Sequence, residues 1–162
     1  MVEPEVEELE DGSPERVAAE NAARKAEAVA GRVSNAAVLG VDTVVSLDGR
    51  IYGKPADRAA ARRTLGALSG RSHVVTSGVC LVEDGRSRSA LSATRVSFRA
   101  LDERLIDWYL GTEEWRERAG GYAIQGRGAA LVEAVDGDYL NVVGLPVATL
   151  LELAPQLLYR TG

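Results

Sequence analysis

Cysteine, histidine, methionine and phenylalanine each occur once in this 162-residue chain. The lone Cys80 excludes an internal disulfide, and the lone His73 excludes a histidine-rich metal centre. A bound metal would therefore be a hard cation on oxygen ligands. Positive charge is also short: 19 Lys and Arg stand against 24 Asp and Glu, a formal net charge of -5. That balance gives no overall basic field for nucleic acid or an anionic membrane, so neither is expected as a partner. An anionic ligand would have to meet cations placed for it locally. No apolar run approaches the length of a bilayer span, and the N-terminus is acidic rather than basic and then apolar, so a cytoplasmic protein is expected.

What is present is ordinary for a globular domain: 46% hydrophobic and 27% charged residues. The length suits one domain over residues 1–162 with a sizeable core. The informative stretch is VLGVDTVVSLDGRIYGKPAD, Val38 to Asp57. Its apolar run reads as a buried strand with Asp42 in the middle, and a carboxylate there must be paired, hydrogen-bonded or metal-bound. Capping a neighbouring turn is the structural alternative. Lys54, before Pro55, falls where a helix is expected to begin, and a cation there opposes the helix dipole. An acid in a strand and a cation at a helix start together suggest a site.

Met1 to Gly12 is acidic and reads as a solvated terminus. Ser13-Pro14-Glu15 is a helix start, with Ser as N-cap and Pro in the first turn, and the helix should reach Ala30 with Gly31 as its stop. On its row Val17, Asn21, Lys25, Val29, the lysine is either functional or snorkelling from the packed face. Asp48-Gly49 is a tight turn, and Asp57 a cap for a helix with Ala61, Leu65 and Leu68 inside. A hairpin follows, His73 to Val82 with an interruption at Gly78, then Ser87 to Arg99. Asp102 caps a third helix, Tyr122 to Ile124 and Ala129 to Val135 are short strand candidates, and Leu145-Pro146 opens a last helix. The fold class expected is α/β, a mixed sheet with flanking helices.

The motifs VLGVDTVV, GRIYGKP, LSGRSHVVTSGVCL and AGGYAIQGRGAALVEAVDGDYLNVVGLP resemble the Maf family, nucleoside triphosphate pyrophosphatases also described as septum-formation inhibitors. The likeness runs in register from about Glu5 to Leu153. It implies an inosine-triphosphate-pyrophosphatase-like fold and hydrolysis of a nucleoside triphosphate substrate to monophosphate and pyrophosphate with a divalent metal, Mg²⁺ or Mn²⁺. By position it makes Asp42 the proton acceptor, Lys25 and Lys54 substrate-binding lysines, and Glu8 an acidic metal partner of Asp42. Thr43 and Gln125 fall on positions linked to base specificity. The I-Q-G form followed by N-V-V-G-L-P looks like the branch preferring dTTP and UTP; a sister branch, similar to enzymes acting on 7-methyl-GTP, carries glutamate in place of Gln125.

The residue chemistry agrees. A glutamine amide offers a donor and an acceptor that complement the N3–H and carbonyl of uracil or thymine, whereas guanine's two-donor edge asks for a carboxylate. Lys25 and Lys54 are cations for phosphate oxygens. His73 and Cys80 read as packing residues, Trp108 and Trp115 as core or interface, and Arg127 as solvated. The family's opening strand and S-x-S-P-R-R loop are not found, which points either to a misassigned translation start or to a truncated chain. Their absence predicts an unpaired sheet edge and exposed apolar surface. It also keeps a rival reading alive, a catalytically impaired nucleotide-binding or division-regulating protein. The oligomeric state is not fixed by the sequence, and a homodimer is compatible with it.

Overall fold

Residues 6–33 and 36–159 are described by the computed structural model, so Met1 to Glu5 of the acidic opening lie outside the described residues. Helix α1 (Pro14–Ala30) starts as its sequence dictates: the Ser13 hydroxyl accepts the Arg16 N–H, and proline occupies the first turn. Gly31 ends it while keeping helical angles, without a left-handed cap. The buried face is built mainly from small residues, Val17, Ala18, Ala22 and Ala26, with Asn21 among them.

The sheet contains β1 (Val38–Leu47), β2 (Arg50–Tyr52), β3 (Ser72–Glu83), β4 (Arg86–Phe98) and β5 (Val132–Asp136) in the order β2-β1-β3-β4-β5. The class is α/β with flanking helices, as expected. Among the described residues the sheet is not mixed, however, because every pairing is antiparallel. Two tight hairpins account for part of this. Asp48-Gly49 joins β1 to β2 and Asp84-Gly85 joins β3 to β4, all four residues at positive φ, which matches the twist of the strands they join.

Helix α1 lies on one face of the sheet unusually closely. A Cβ at Gly40 would run into the Ala22 carbonyl and Ala26, and one at Gly78 into the Ala18 carbonyl. Gly78 therefore does not interrupt β3. It stays in register between Asp42 and Leu91, and its missing side chain makes room for the helix.

The opposite face carries the main core. Helices α2 (Arg58–Leu68) and α3 (Glu103–Leu110), capped by Asp57 and Asp102, bring Leu65, Leu68, Tyr109 and Leu110 against Val45, Val75, Val96 and Phe98. Trp115 is buried in this core, while Trp108 is 48% exposed. Because both faces are covered, β3 is buried over Val75–Leu81 rather than alternating.

The C-terminal third departs from the expected elements. Tyr122 to Ile124 is an irregular segment, not a strand, lying between 3-10 turns at Ala119–Gly121 and Arg127–Leu131, and β5 begins only at Val132. Gly120 and Gly121 both turn at φ 68°, and Gly128 packs so tightly on the Ala123 backbone that the segment folds back on itself. A short helix α4 (Tyr139–Val143), capped by Asp138, precedes α5 (Val147–Leu153). Leu157 and Leu158 fall in a 3-10 turn beyond it. Among the described residues no helix is long and apolar enough to cross a membrane.

One feature of the sheet positions the site. β2 pairs only with Val45 to Leu47. Val38 to Val44 have β3 on one side and, among the described residues, no strand on the other. Asp42 and Thr43 stand on this open edge.

Candidate active site

Successive residues of a strand point to opposite faces, so Asp42 and Thr43 address different sides of the same edge. Asp42 faces α1 and is 9% exposed. Its Oδ1 accepts from Lys25 Nζ at 2.6 Å and its Oδ2 from the Asn21 amide at 3.3 Å. The same ammonium lies 2.7 Å from Glu8 Oε1. Asn21 also pins the chain before α1, accepting the Leu9 N–H at 2.7 Å and donating to the Leu9 carbonyl at 3.0 Å, which brings Glu8 within reach. Both polar residues of the Val17–Val29 row are thus engaged with Asp42. Lys25 is not snorkelling, and Asp42 is a partner of two α1 side chains rather than a turn cap. Burial pulls the Lys25 pKa down, but hydrogen bonds and charge from Asp42 and Glu8 outweigh it and raise it above the ordinary lysine value.

On the other face, the Thr43 hydroxyl shares a 2.7 Å hydrogen bond with buried Ser77. A cleft of about 270 Å³ is lined by Lys25, Asp42, Thr43 and Gln125, with Val45, Val75, Tyr122 and Ile124 among its apolar walls. Val142 and Val143 close one side. They are held there by Asn141, fully buried, whose amide donates to the Val75 carbonyl and to Thr94, both at 3.0 Å.

Gln125 is exposed and lines the cleft, and the backbone around it is clamped. The Tyr109 hydroxyl accepts the Ala123 N–H at 3.0 Å, and the Glu114 carboxylate accepts the Arg127 N–H at 2.7 Å. Burial pushes the Tyr109 hydroxyl up to about 12, so it remains a neutral anchor. The Glu114 carboxylate also lies where a Cβ on Gly126 would stand. Arg127 is exposed and lies outside the cleft lining. His73 is a packing residue: its Nε2 and the Tyr122 hydroxyl are 2.8 Å apart, and its ring meets Phe98 edge-on. Burial lowers its pKa to about 4.

Lys54 lines the cleft, but not from a helix start. Helix α2 begins at Arg58, with Asp57 as cap, so Lys54 sits in the preceding loop, where the helix dipole does not act on it. Its ammonium lies 3.6 Å from Glu117, both groups being exposed. Arg118 also lines the cleft and was not singled out from the sequence. Its only signal there is a cation before a Gly-Gly pair, which is weak. Glu114, Asn141 and Ser77 were likewise missed, because each acts through a partner distant in sequence.

Among the described residues no cluster of three or more His, Cys, Asp or Glu side chains could hold a metal by itself. The donors available are the carboxylates of Asp42 and Glu8, joined by Lys25. Two hard oxygen donors beside a cleft open to solvent fit a cation such as Mg²⁺, which commonly takes one or two carboxylates and completes its shell with water and substrate phosphates.

The chain is similar to known proteins along most of its length. A family model described as Maf-like protein matches residues 1–157. A Symbiobacterium thermophilum protein named dTTP/UTP pyrophosphatase is 47% identical over 158 residues, 96% of this chain and 81% of the relative. Proteins of the same name from Dictyoglomus thermophilum and Pyrococcus furiosus are 44% and 42% identical, covering 98% and 90% of this chain and 85% and 76% of their own lengths. With a family match across nearly its whole length and relatives this similar, the chain belongs to the Maf family of proteins.

Proposed function

We propose that this chain hydrolyses dTTP and UTP to the nucleoside monophosphate and pyrophosphate in the cleft along the open edge of β1. The observation that carries the reading is the Lys25–Asp42 pair in a cleft that Gln125 also lines. The names borne by the Maf relatives support the substrate assignment.

In this reading Asp42 accepts a proton from a water that attacks the α-phosphorus. The new oxygen–phosphorus bond forms as the bond from the α-phosphorus to the bridging oxygen breaks, and pyrophosphate leaves with that oxygen. Lys25 has three ammonium protons, and Asp42 and Glu8 engage two of them. The third is available for a phosphate oxygen, and the raised pKa keeps the group charged. Asn21 holds the second Asp42 oxygen, leaving Oδ1 the partner of the cation.

Thr43, on the opposite face of β1 from Asp42, belongs to the base end together with Gln125. The glutamine amide pairs with the N3–H and one carbonyl of uracil or thymine, and the apolar walls receive the ring. Asp42 and Glu8 would hold a divalent cation, Mg²⁺ or Mn²⁺, which when bound supplies charge neutralisation for the triphosphate and acidifies water. A substrate of this class supports a cytoplasmic setting for the enzyme.

The point of attack is testable with isotope. Hydrolysis of UTP in ¹⁸O-water with Mg²⁺ should place the label in UMP and none in pyrophosphate. Label in the pyrophosphate, or UDP and orthophosphate as products, would reject attack at the α-phosphorus.

A further inference from the structure

We propose that Arg118 is a substrate-binding residue that works as a pair with Lys54, the two cations gripping the polyphosphate of the nucleotide. This rests on the pyrophosphatase reading above and names a group that the sequence motifs did not single out.

The first observation is charge. The acids and cations along the cleft wall nearly cancel: Lys25 is shared between Asp42 and Glu8, and Lys54 lies beside Glu117. The Arg118 side chain lines the same cleft and makes no hydrogen bond or ion pair to any described residue, while its backbone carbonyl accepts the Gly121 N–H at 2.9 Å. A tetra-anionic ligand needs a cation not already neutralised, and Arg118 meets that need among the described lining residues.

The second observation is mounting. An exposed arginine on a mobile loop would be an ordinary solvated side chain. Arg118 instead directly precedes the Ala119-Gly120-Gly121 turn, and that turn is stapled to the loop bearing Lys54. The Gly120 N–H donates to the Gly53 carbonyl at 3.2 Å, and Gly121 packs on Pro55 with no space for a Cβ. Gly120 lies equally close to Val45 of β1. Residues 53–55 and 118–121 thus form one unit, braced on the strand that carries Asp42. A planar guanidinium lining the same cleft as an ammonium suits bidentate binding of phosphate oxygens, a geometry a second lysine would not reproduce.

The test separates phosphate contact from base contact and from fold. Binding of inorganic triphosphate and of UMP should be measured by calorimetry on the full chain with Arg118→Ala, Arg118→Lys and Gln125→Ala. Arg118→Ala should weaken triphosphate binding roughly ten- to hundredfold and raise the KM for UTP similarly, while UMP affinity falls little. Arg118→Lys should recover only part of this, and Gln125→Ala should leave triphosphate binding unchanged. Unaltered triphosphate affinity in a folded Arg118→Ala protein overturns the proposal, as does equal loss for triphosphate and UMP. Wild-type binding of triphosphate without turnover of any nucleotide would instead fail the enzymatic reading, leaving the role of Arg118 in binding intact.

Discussion

The Lys25 ammonium lies 2.6 Å from Asp42 Oδ1, so a helix and the open edge of the sheet are joined by one hydrogen-bonded ion pair, with Glu8 on the same nitrogen at 2.7 Å. Removing the cation leaves two carboxylates facing each other. Lys25→Met should therefore destabilise the fold by about 2 kcal/mol, less than a fully buried pair would lose because the lysine side chain is 23% exposed. Urea denaturation measures this. An unchanged midpoint would mean that the trio contributes nothing to folding.

The tight seat of α1 makes an opposite pair of predictions for two glycines. Gly78→Ala puts a methyl group into the Ala18 carbonyl and should cost about 3 kcal/mol by overpacking, through displacement of α1 and with it Lys25. Gly66, inside α2, faces open space, and Gly66→Ala should stabilise by about 1 kcal/mol through helix propensity alone. Thermal melts of the two variants should move in opposite directions.

Buried His73 makes stability depend on acid. Its folded pKa of about 4 lies below the 6.5 of a free imidazole, so the unfolded state binds more protons between these values. Stability contributed by the neutral ring is full above pH 6.5 and is lost as pH falls toward 4, by roughly 3 kcal/mol in all. His73→Gln can keep a partner for the Tyr122 hydroxyl without titrating. The stability difference between wild type and variant, measured by denaturation from pH 7 to 4, should shift by that amount in favour of the variant. Parallel curves would contradict the assignment.

The early and middle parts of the chain were legible because their signals are local. Ser13-Pro14-Glu15, Asp48-Gly49, Asp57 and Asp102 each act within a few residues of where they stand, and each forms the turn or cap its chemistry favours. Asp42 was conspicuous as a charge in an apolar run. The segment after Trp115 was not legible, because its shape comes from contacts remote in sequence: Tyr109 with Ala123, Gly120 with Gly53, Glu114 with Arg127. Tyr122 to Ile124 read as a strand and glycine packing overrode it, whereas Ala129 to Val135 is a strand only from Val132 onward. Lys54 was recognised as a site residue for a reason that does not hold, since it precedes the helix by a loop.

Base selectivity rests on Gln125 in this account. Gln125→Glu replaces the amide with a carboxylate, which cannot donate to a base carbonyl and repels it. The kcat/KM for UTP should fall about a hundredfold, with a much smaller change for GTP. Steady-state kinetics with both triphosphates decides the matter, and an equal loss for both would remove Gln125 from base recognition.

The central claim is that Asp42 activates the attacking water. Asp42→Asn is nearly isosteric and retains a carbonyl oxygen for Lys25, so the protein should fold and still bind UTP. Pyrophosphate release from UTP with Mg²⁺ is the direct measurement, made on wild type and variant side by side. This role for Asp42 predicts turnover by the wild type and a rate at least about a hundredfold lower for Asp42→Asn at saturating substrate. Full activity in the variant, or no turnover of any nucleotide by the wild type with Mg²⁺ or Mn²⁺, would contradict it.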